Sequence, residues 1–198
     1  MSTVETRPTR SRADSEEKLI VAAAELLGEI GPRSVSVRMI AERAGVNHGL
    51  VHHYFGGKDA LLRAAMSRLV EEHAQYAASR SKGKPLPAPL ALVDDPAYLR
   101  AIVRSVLDDE MELARTEITQ GVSVPRNTLT HVANTTQLEK IDTTLKARLA
   151  LGMATEMGWA ALEPFIFAVT GTDTDEEKEA IRAEARRLQI EEIRVLLS

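Results

Sequence analysis

The stretch SVRMIAERAGVNHGLVHHYFGGKDALL, residues 36–62, carries two short helical patterns joined at a glycine. Ser36 can cap a helix made by VRMIAERA, because its hydroxyl oxygen accepts from a backbone N–H that the first turn leaves unpaired. Gly45 ends that helix, being the residue most easily placed in the left-handed conformation of a sharp turn. Asn47 is positioned to cap a further helix, HGLVHHYF, and Gly56-Gly57 stops it. Ala41 is small where the second helix must approach the first, and apolar Val46 can plug the gap between them. The pattern has the spacing of a helix-turn-helix. In such a motif the second helix is presented for insertion into the DNA major groove.

The faces of that second helix follow from a turn of about 100° per residue. Val51 and Phe55, with Tyr54 alongside, face a small core. Gly49 and His53 point nearly opposite, flanked by Leu50 and His52. A glycine in a helix interior costs about 1 kcal/mol, so its place at the outward centre favours close approach of another surface over stability. Three of the chain's five histidines, His48, His52 and His53, fall within six positions. His48 and His52 are four apart and could share a metal, but no third ligand stands near. A groove-facing surface is the stronger reading, and no metal site is expected. Imidazoles there can exchange hydrogen bonds with bases or, protonated, attract phosphate, so binding should weaken as pH rises through the histidine range. Leu50 could touch a thymine methyl.

Taken together, the cap, turn, core and connector positions resemble the N-terminal signature of TetR-type transcriptional regulators. The resemblance covers about residues 15–70 and extends loosely through helix order and the segment LGMATEMGWAALEPF. It implies DNA contacts for Arg38, Asn47, His48, Gly49, Leu50, His52, His53, Tyr54 and Lys58, the last as a phosphate contact. The family usually has Tyr where His52 stands, often His where Tyr54 stands, and Ser or Thr at Asn47. Fold and general mode carry over; base preferences do not.

Outward from this stretch the expected fold is all-helical. Residues 1–12, with Arg7, Arg10 and Arg12, read as a disordered basic arm. Residues 13–57 form a three-helix DNA-binding unit that opens at Asp14 and Glu17 as a capping box. Leu19, Ala23, Leu26 and Ile30 recur on one face of its first helix. A connecting helix spans 58–80, within an effector-binding and dimerisation bundle at 58–198. Pro85, Pro87 and Pro89 break the chain. A fifth helix runs from Asp94-Asp95-Pro96 to about Arg115, with Leu99, Ile102, Val103, Val106 and Leu113 inward. Short helices around Pro125 precede a long apolar helix over 143–170 and an amphipathic one over 175–197.

The apolar helix must be covered on more than one side. Gly152 and Gly158 would let another helix come close, and Ile181, Ala185 and Leu188 make a stripe on the last helix, continued by Ile193 and Leu197. Packing within one chain explains this. The resemblance implies instead a homodimer sealed by both helices, with Leu162, and hence a palindromic operator. Candidate lining residues for a small-molecule effector are Val103, Leu107, Met111, His131, Met153, Met157 and Trp159, with Arg126 as a polar contact; ordinary core packing is the competing reading. By resemblance, effector binding would shift the fourth helices and release DNA.

Composition narrows the alternatives. Residues 1–70 hold ten Lys/Arg against eight Asp/Glu, and residues 71–198 fifteen against twenty-one, so the chain's net −4 hides a mildly basic N-terminal part. Such asymmetry points the basic end at a polyanion. With no cysteine there are no disulfides or thiolate metal sites, which fits a reducing cytoplasm. No run is long and apolar enough to span a membrane, and the N-terminus lacks a secretory core. The acidic runs at 108–110 and 175–179 read as solvated faces or helix starts. No nucleophile setting, di-metal spacing or phosphate loop appears, so neither catalysis nor a cofactor is expected. The reading is a cytoplasmic, ligand-responsive homodimeric repressor. A constitutive DNA-binding dimer and a helical-bundle enzyme or carrier stand as alternatives.

Overall fold

A computed structural model of the chain describes residues 12–81, 87–135 and 141–197, the last six by backbone alone. Among the described residues it is helical, with no strand. The N-terminal unit comprises α1 (Arg12–Ile30), α2 (Val37–Ala44) and α3 (Gly49–Phe55), and α4 (Lys58–Ser81) leads out of it. A 3-10 turn (Ala91–Asp94) precedes α5 (Pro96–Leu107), α6 (Met111–Ala114) and α7 (Thr116–Thr119). Then come α8 (Val124–Thr135), α9 (Thr143–Thr170) and α10 (Asp175–Leu197). The basic-arm reading falls on residues 1–11, outside the described residues, and so do the side chains of Ile193 and Leu197.

One core runs through the N-terminal unit and into the bundle. Leu19, Ala23 and Leu27 of α1 share it with Val51 of α3, Leu61, Ala65 and Met66 of α4, and Ala101 of α5, all fully buried. Burying each large aliphatic side chain stabilises by roughly 1.5–3 kcal/mol, so α1 is the keel on which the other elements assemble. It packs against α5, α4 and α2. Arg43 adds a polar staple from α2 to α1, placing Nη1 and Nη2 at 2.9 and 2.8 Å from the two Glu29 oxygens. The Arg43 guanidinium holds the Glu29 carboxyl below its ordinary range.

Two helix ends differ from the sequence expectation. α1 starts at Arg12, so Asp14 lies within its first turn instead of capping it, and Glu17 pairs with Arg68 of α4. The added turn carries an Arg12–Glu16 pair at helical spacing, 2.6 Å apart. α5 stops at Leu107 and does not reach Arg115. Asp109 there turns left-handed, at φ 59°, which aspartate tolerates better than most residues. The cause is tertiary. Asp108 Oδ2 accepts the backbone N–H of Arg33 at 3.1 Å, and Arg104 Nε donates to the Gly28 carbonyl at 3.0 Å. Asp108 therefore closes the α1–α2 corner and is not simply part of a solvated face. Gly31 sits beneath it at φ 78°, where a Cβ would lie 2.6 Å from the carboxylate. Early termination also turns Val106, Leu107 and Met111 outward, with Leu107 75% exposed.

The C-terminal half of α4 is held by polar groups. His73, Tyr98, Glu117 and Ser123 are all buried. His73 Nδ1 and Asp95 Oδ2 are 2.8 Å apart, and the His73 ring stacks flat on Tyr98 with centroids 3.8 Å apart. The Tyr98 hydroxyl and Ser123 Oγ both donate to Glu117. Burial, reinforced by Glu117, pushes the Tyr98 phenol far above its ordinary range, so it stays a donor.

α9 packs against the 3-10 turn, α5 and α8. Its Glu156 accepts the backbone N–H of Leu90, a left-handed residue at the start of the turn. Burial pushes the Glu156 carboxyl above the ordinary carboxylate range despite the N–H groups that face it. The folded chain then keeps a proton that the unfolded chain releases, so stability falls as pH rises from the ordinary carboxylate range through the raised value. Glu156→Gln removes this titration and keeps an acceptor. Urea denaturation should show the wild type losing stability relative to the variant between acid and neutral pH. A difference constant with pH would refute the assignment.

Candidate nucleic-acid interface

The α2–α3 unit is built by local chemistry. Ser36 Oγ accepts the Met39 N–H at 3.2 Å and opens α2. Gly45 closes it at φ 64°, and the Gly45 and Val46 N–H groups return to the carbonyls of Glu42 and Ala41. Asn47 Oδ1 accepts the Gly49 N–H at 2.8 Å, so the expected cap forms, although the helix proper begins at Gly49. Gly56, at φ 76°, returns its N–H to His52 and ends α3. Val51 is 0% exposed and locks α3 onto the core, with Tyr54 and Phe55 half-buried beside it.

What remains outward is Asn47, His48, Gly49, His52 and His53 on α3 and its entry turn, together with Arg38 on α2, all exposed. An open cleft of about 490 Å³ runs between the two helices, lined by Arg38, Ala41, Glu42, Val46, Asn47 and His48. A Cβ on Gly49 would meet only Asn47 Oδ1, at 3.2 Å, so the fold itself leaves that face nearly empty. A bare helix face of this size and polarity suits a groove of base edges.

Several expected site residues are placed differently. Leu50 is half-buried against the core, on the flank of the face instead of its front. Tyr54 lies tilted beside His53, ring centroids 5.2 Å apart, with the Arg12 guanidinium 5.3 Å from its own. Arg38 is tied to Glu42 at 2.8 Å. The largest departure is Lys58. Its ammonium donates to the carbonyls of Pro32 and Val35 at 3.2 and 3.1 Å, so the fold presents a tie across the α1–α2 corner in place of a free phosphate ligand. Lys58→Met should cost about 1–3 kcal/mol by stranding two half-buried carbonyls. It should leave the salt dependence of DNA binding unaltered. A drop in salt dependence with unchanged stability would restore the phosphate role.

The bundle candidates separate likewise. Met157 packs on the core, while Leu107, Met111 and Met153 are exposed, which does not suit an enclosed pocket. Trp159 is half-buried and donates Nε1–H to Glu163 at 3.0 Å. Val103 and His131 are also half-buried. Gly152 and Gly158 meet no atom within 4 Å of an added Cβ. Leu162 and Leu188 are exposed, and Ile181 and Ala185 half-exposed. Sequence reasoning missed the buried His73–Tyr98–Glu117 cluster. The signal was there, since His73 continues the Met66, Leu69, Val70 stripe toward Ala77 at helical spacing. Among the described residues no three His, Asp or Glu side chains are grouped to hold a metal ion.

A family model described as bacterial regulatory proteins, tetR family, matches residues 19–65, from the core of α1 to the first turns of α4. The N-terminal part is 44% identical over 72 residues to the transcriptional regulator BetI of Brucella canis. In this N-terminal part the chain is similar to the TetR family. The BetI match spans 36% of this chain and only 34% of that regulator. A longer TetR-family match is the transcriptional repressor Rv3405c of Mycobacterium tuberculosis, 29% identical over 168 residues, 82% of this chain and 80% of that one. In fold, the chain resembles the regulator SCO4942 of Streptomyces coelicolor at a TM-score of 0.60 and 20% identity, covering 88% of this chain and 97% of that one. Among the described residues no helix is long and apolar enough to cross a membrane.

Proposed function

We propose that the chain is a sequence-specific DNA-binding transcriptional regulator, a homodimeric repressor released from a palindromic operator by a small-molecule effector. The observation that carries it is the α2–α3 unit, in which a nearly bare Gly49–His53 face is held outward by a fully buried Val51. In this reading residues 13–57 are the reading head and residues 58–198 the effector-binding and dimerisation part, joined through a connecting helix at 58–80. Arg38, Asn47, His48, Gly49, His52, His53 and Tyr54 contact DNA, with Leu50 on the flank. Similarity to a repressor over most of the chain supports the direction of regulation. The chemistry is recognition, not catalysis, and the expected compartment is the cytoplasm.

Two copies are required because one reading head covers only one half-site. Leu162, Phe165 and Val169 on α9 are 53%, 65% and 70% exposed, a patch that a soluble chain ordinarily covers. The second copy's α9 and α10 are the proposed cover. An effector shifts DNA affinity only by the difference in its own affinity for the two conformations.

The outward turn of Leu107 and Met111 favours a second reading, a constitutive DNA-binding dimer without effector. Sedimentation of the protein alone and with duplex DNA tests both readings. A dimer that binds one duplex supports the proposal, and a monomer with and without DNA refutes it. Screening small molecules for release of that duplex separates the two forms of it.

A further inference from the structure

The carboxylate of Glu42 stands where a DNA reader can least use one. It lines the α2–α3 cleft with Arg38, Asn47 and His48, and its side chain is 63% exposed. Facing a polyanion, an exposed acid there repels phosphate and weakens binding to any sequence. Nor does it hold the fold together. Its partner Arg38 is 86% exposed, and an ion pair so open to solvent adds little to stability. The ion pairs that tie α2 to its neighbour come instead from Arg43, which meets Glu25 and Glu29 of α1.

The geometry of the pair gives the acid a use. Arg38 Nε donates to Glu42 Oε1 at 2.8 Å, one helical turn on. Among the described residues neither terminal nitrogen of Arg38 has a hydrogen-bond partner. An arginine reads guanine by giving parallel N–H bonds to O6 and N7, which requires a fixed guanidinium plane and a free pair of donors. A carboxylate on Nε fixes that plane and leaves the terminal nitrogens free. Glu42 is itself held against the entry to α3, because its carbonyl accepts the Gly45 N–H in the turn that delivers Asn47 and His48. The guanidinium on α2 is thereby anchored to the same corner as the outward face of α3.

We propose that Glu42 is a positioning residue for base reading, which holds Arg38 as a guanine-reading fork beside the face carried by α3. The proposal rests on the DNA-binding reading above and adds to it a residue that sets specificity without touching DNA.

The test selects bound fragments from random duplex DNA with the full chain as wild type, R38A, E42A and E42Q. Affinity is then measured for the selected site and for its single-base variants. Wild type should require guanine at one position of each half-site. R38A should lose about tenfold or more of that discrimination, at that position alone. E42A should lose about as much at the same position, while its affinity for unrelated duplex holds or rises with the acid gone. E42Q keeps an acceptor for Nε and should retain most of the discrimination. The variants should melt with wild type, since the pair is exposed. A motif that E42A discriminates as well as wild type does overturns the positioning role alone. So does a motif that R38A reads unchanged. Loss of different bases in E42A and R38A also overturns it, as the mark of Glu42 reading a cytosine itself. A wild type that selects no motif overturns the DNA-reading proposal and this one with it.

Discussion

Replacing Leu162 and Leu188 together with glutamate is expected to leave a folded monomer that has lost DNA affinity by roughly 100- to 1,000-fold, the loss that follows when two linked half-site contacts become one. Both side chains are about half exposed on the single chain, at 53% and 51%, so charge there should not disturb the core around Leu19, Leu27 and Met66. In the dimer each glutamate would be desolvated against its counterpart, a cost that the apolar α9 and α10 faces cannot offset. Sedimentation gives the mass, circular dichroism the helix content, and titration of duplex DNA the affinity. A double variant that remains a DNA-binding dimer would place the interface elsewhere.

Gly49→Leu should separate stability from function. The added Cβ would sit 3.2 Å from Asn47 Oδ1 and otherwise meets no atom within 4 Å, so the fold accepts it once the Asn47 side chain gives by a few tenths of an ångström. The thermal midpoint should change little. DNA affinity should fall about 100-fold or more, because the side chain holds the helix off the base edges and abolishes contacts worth about 1–3 kcal/mol each. A variant that is as stable and fully able to bind DNA would mean that α3 does not meet the groove through Gly49.

These expectations divide along the range of the interactions behind them. The α2–α3 unit is legible in sequence because its determinants are local: Ser36 bonds three residues ahead, and Gly45 and Asn47 act on their immediate neighbours. Val51 could be assigned to the core by helical angle alone. The end of α5 was not legible, because apolar periodicity continues past Leu107 while the partner that stops it, the Arg33 N–H, lies 75 residues away in sequence. The carbonyl contacts of Lys58 were not legible for the same reason. A lysine at a helix start looks free until the fold brings the Pro32 and Val35 carbonyls to it. The apolar character of α9 was plain, yet which of its residues stay exposed depends on where α5, α8 and the 3-10 turn dock. That placement makes Leu162 and Val169 surface and Phe167 core.

The coupling of head to bundle also emerges only from the fold. The α1–α2 corner is gripped from one side by Lys58 of α4 and from the other by Asp108 after α5. Farther along α4, the His73–Asp95 contact and the Tyr98 stack tie the same helix to α5. A rearrangement among α4, α5 and α7 that separates these groups would act directly on the elements that hold the α1–α2 corner. This is the physical content of the proposal that bundle and operator compete for conformations.

As proposed, this chain reads a DNA sequence through α3 as a dimer. Selection of bound fragments from random duplex DNA by purified full-length protein, at near-physiological salt, tests it most directly. Enrichment of a palindromic motif whose half-sites are read by two copies of α3 is expected. Recovery of no motif, with binding that simply fades as salt rises, would contradict it.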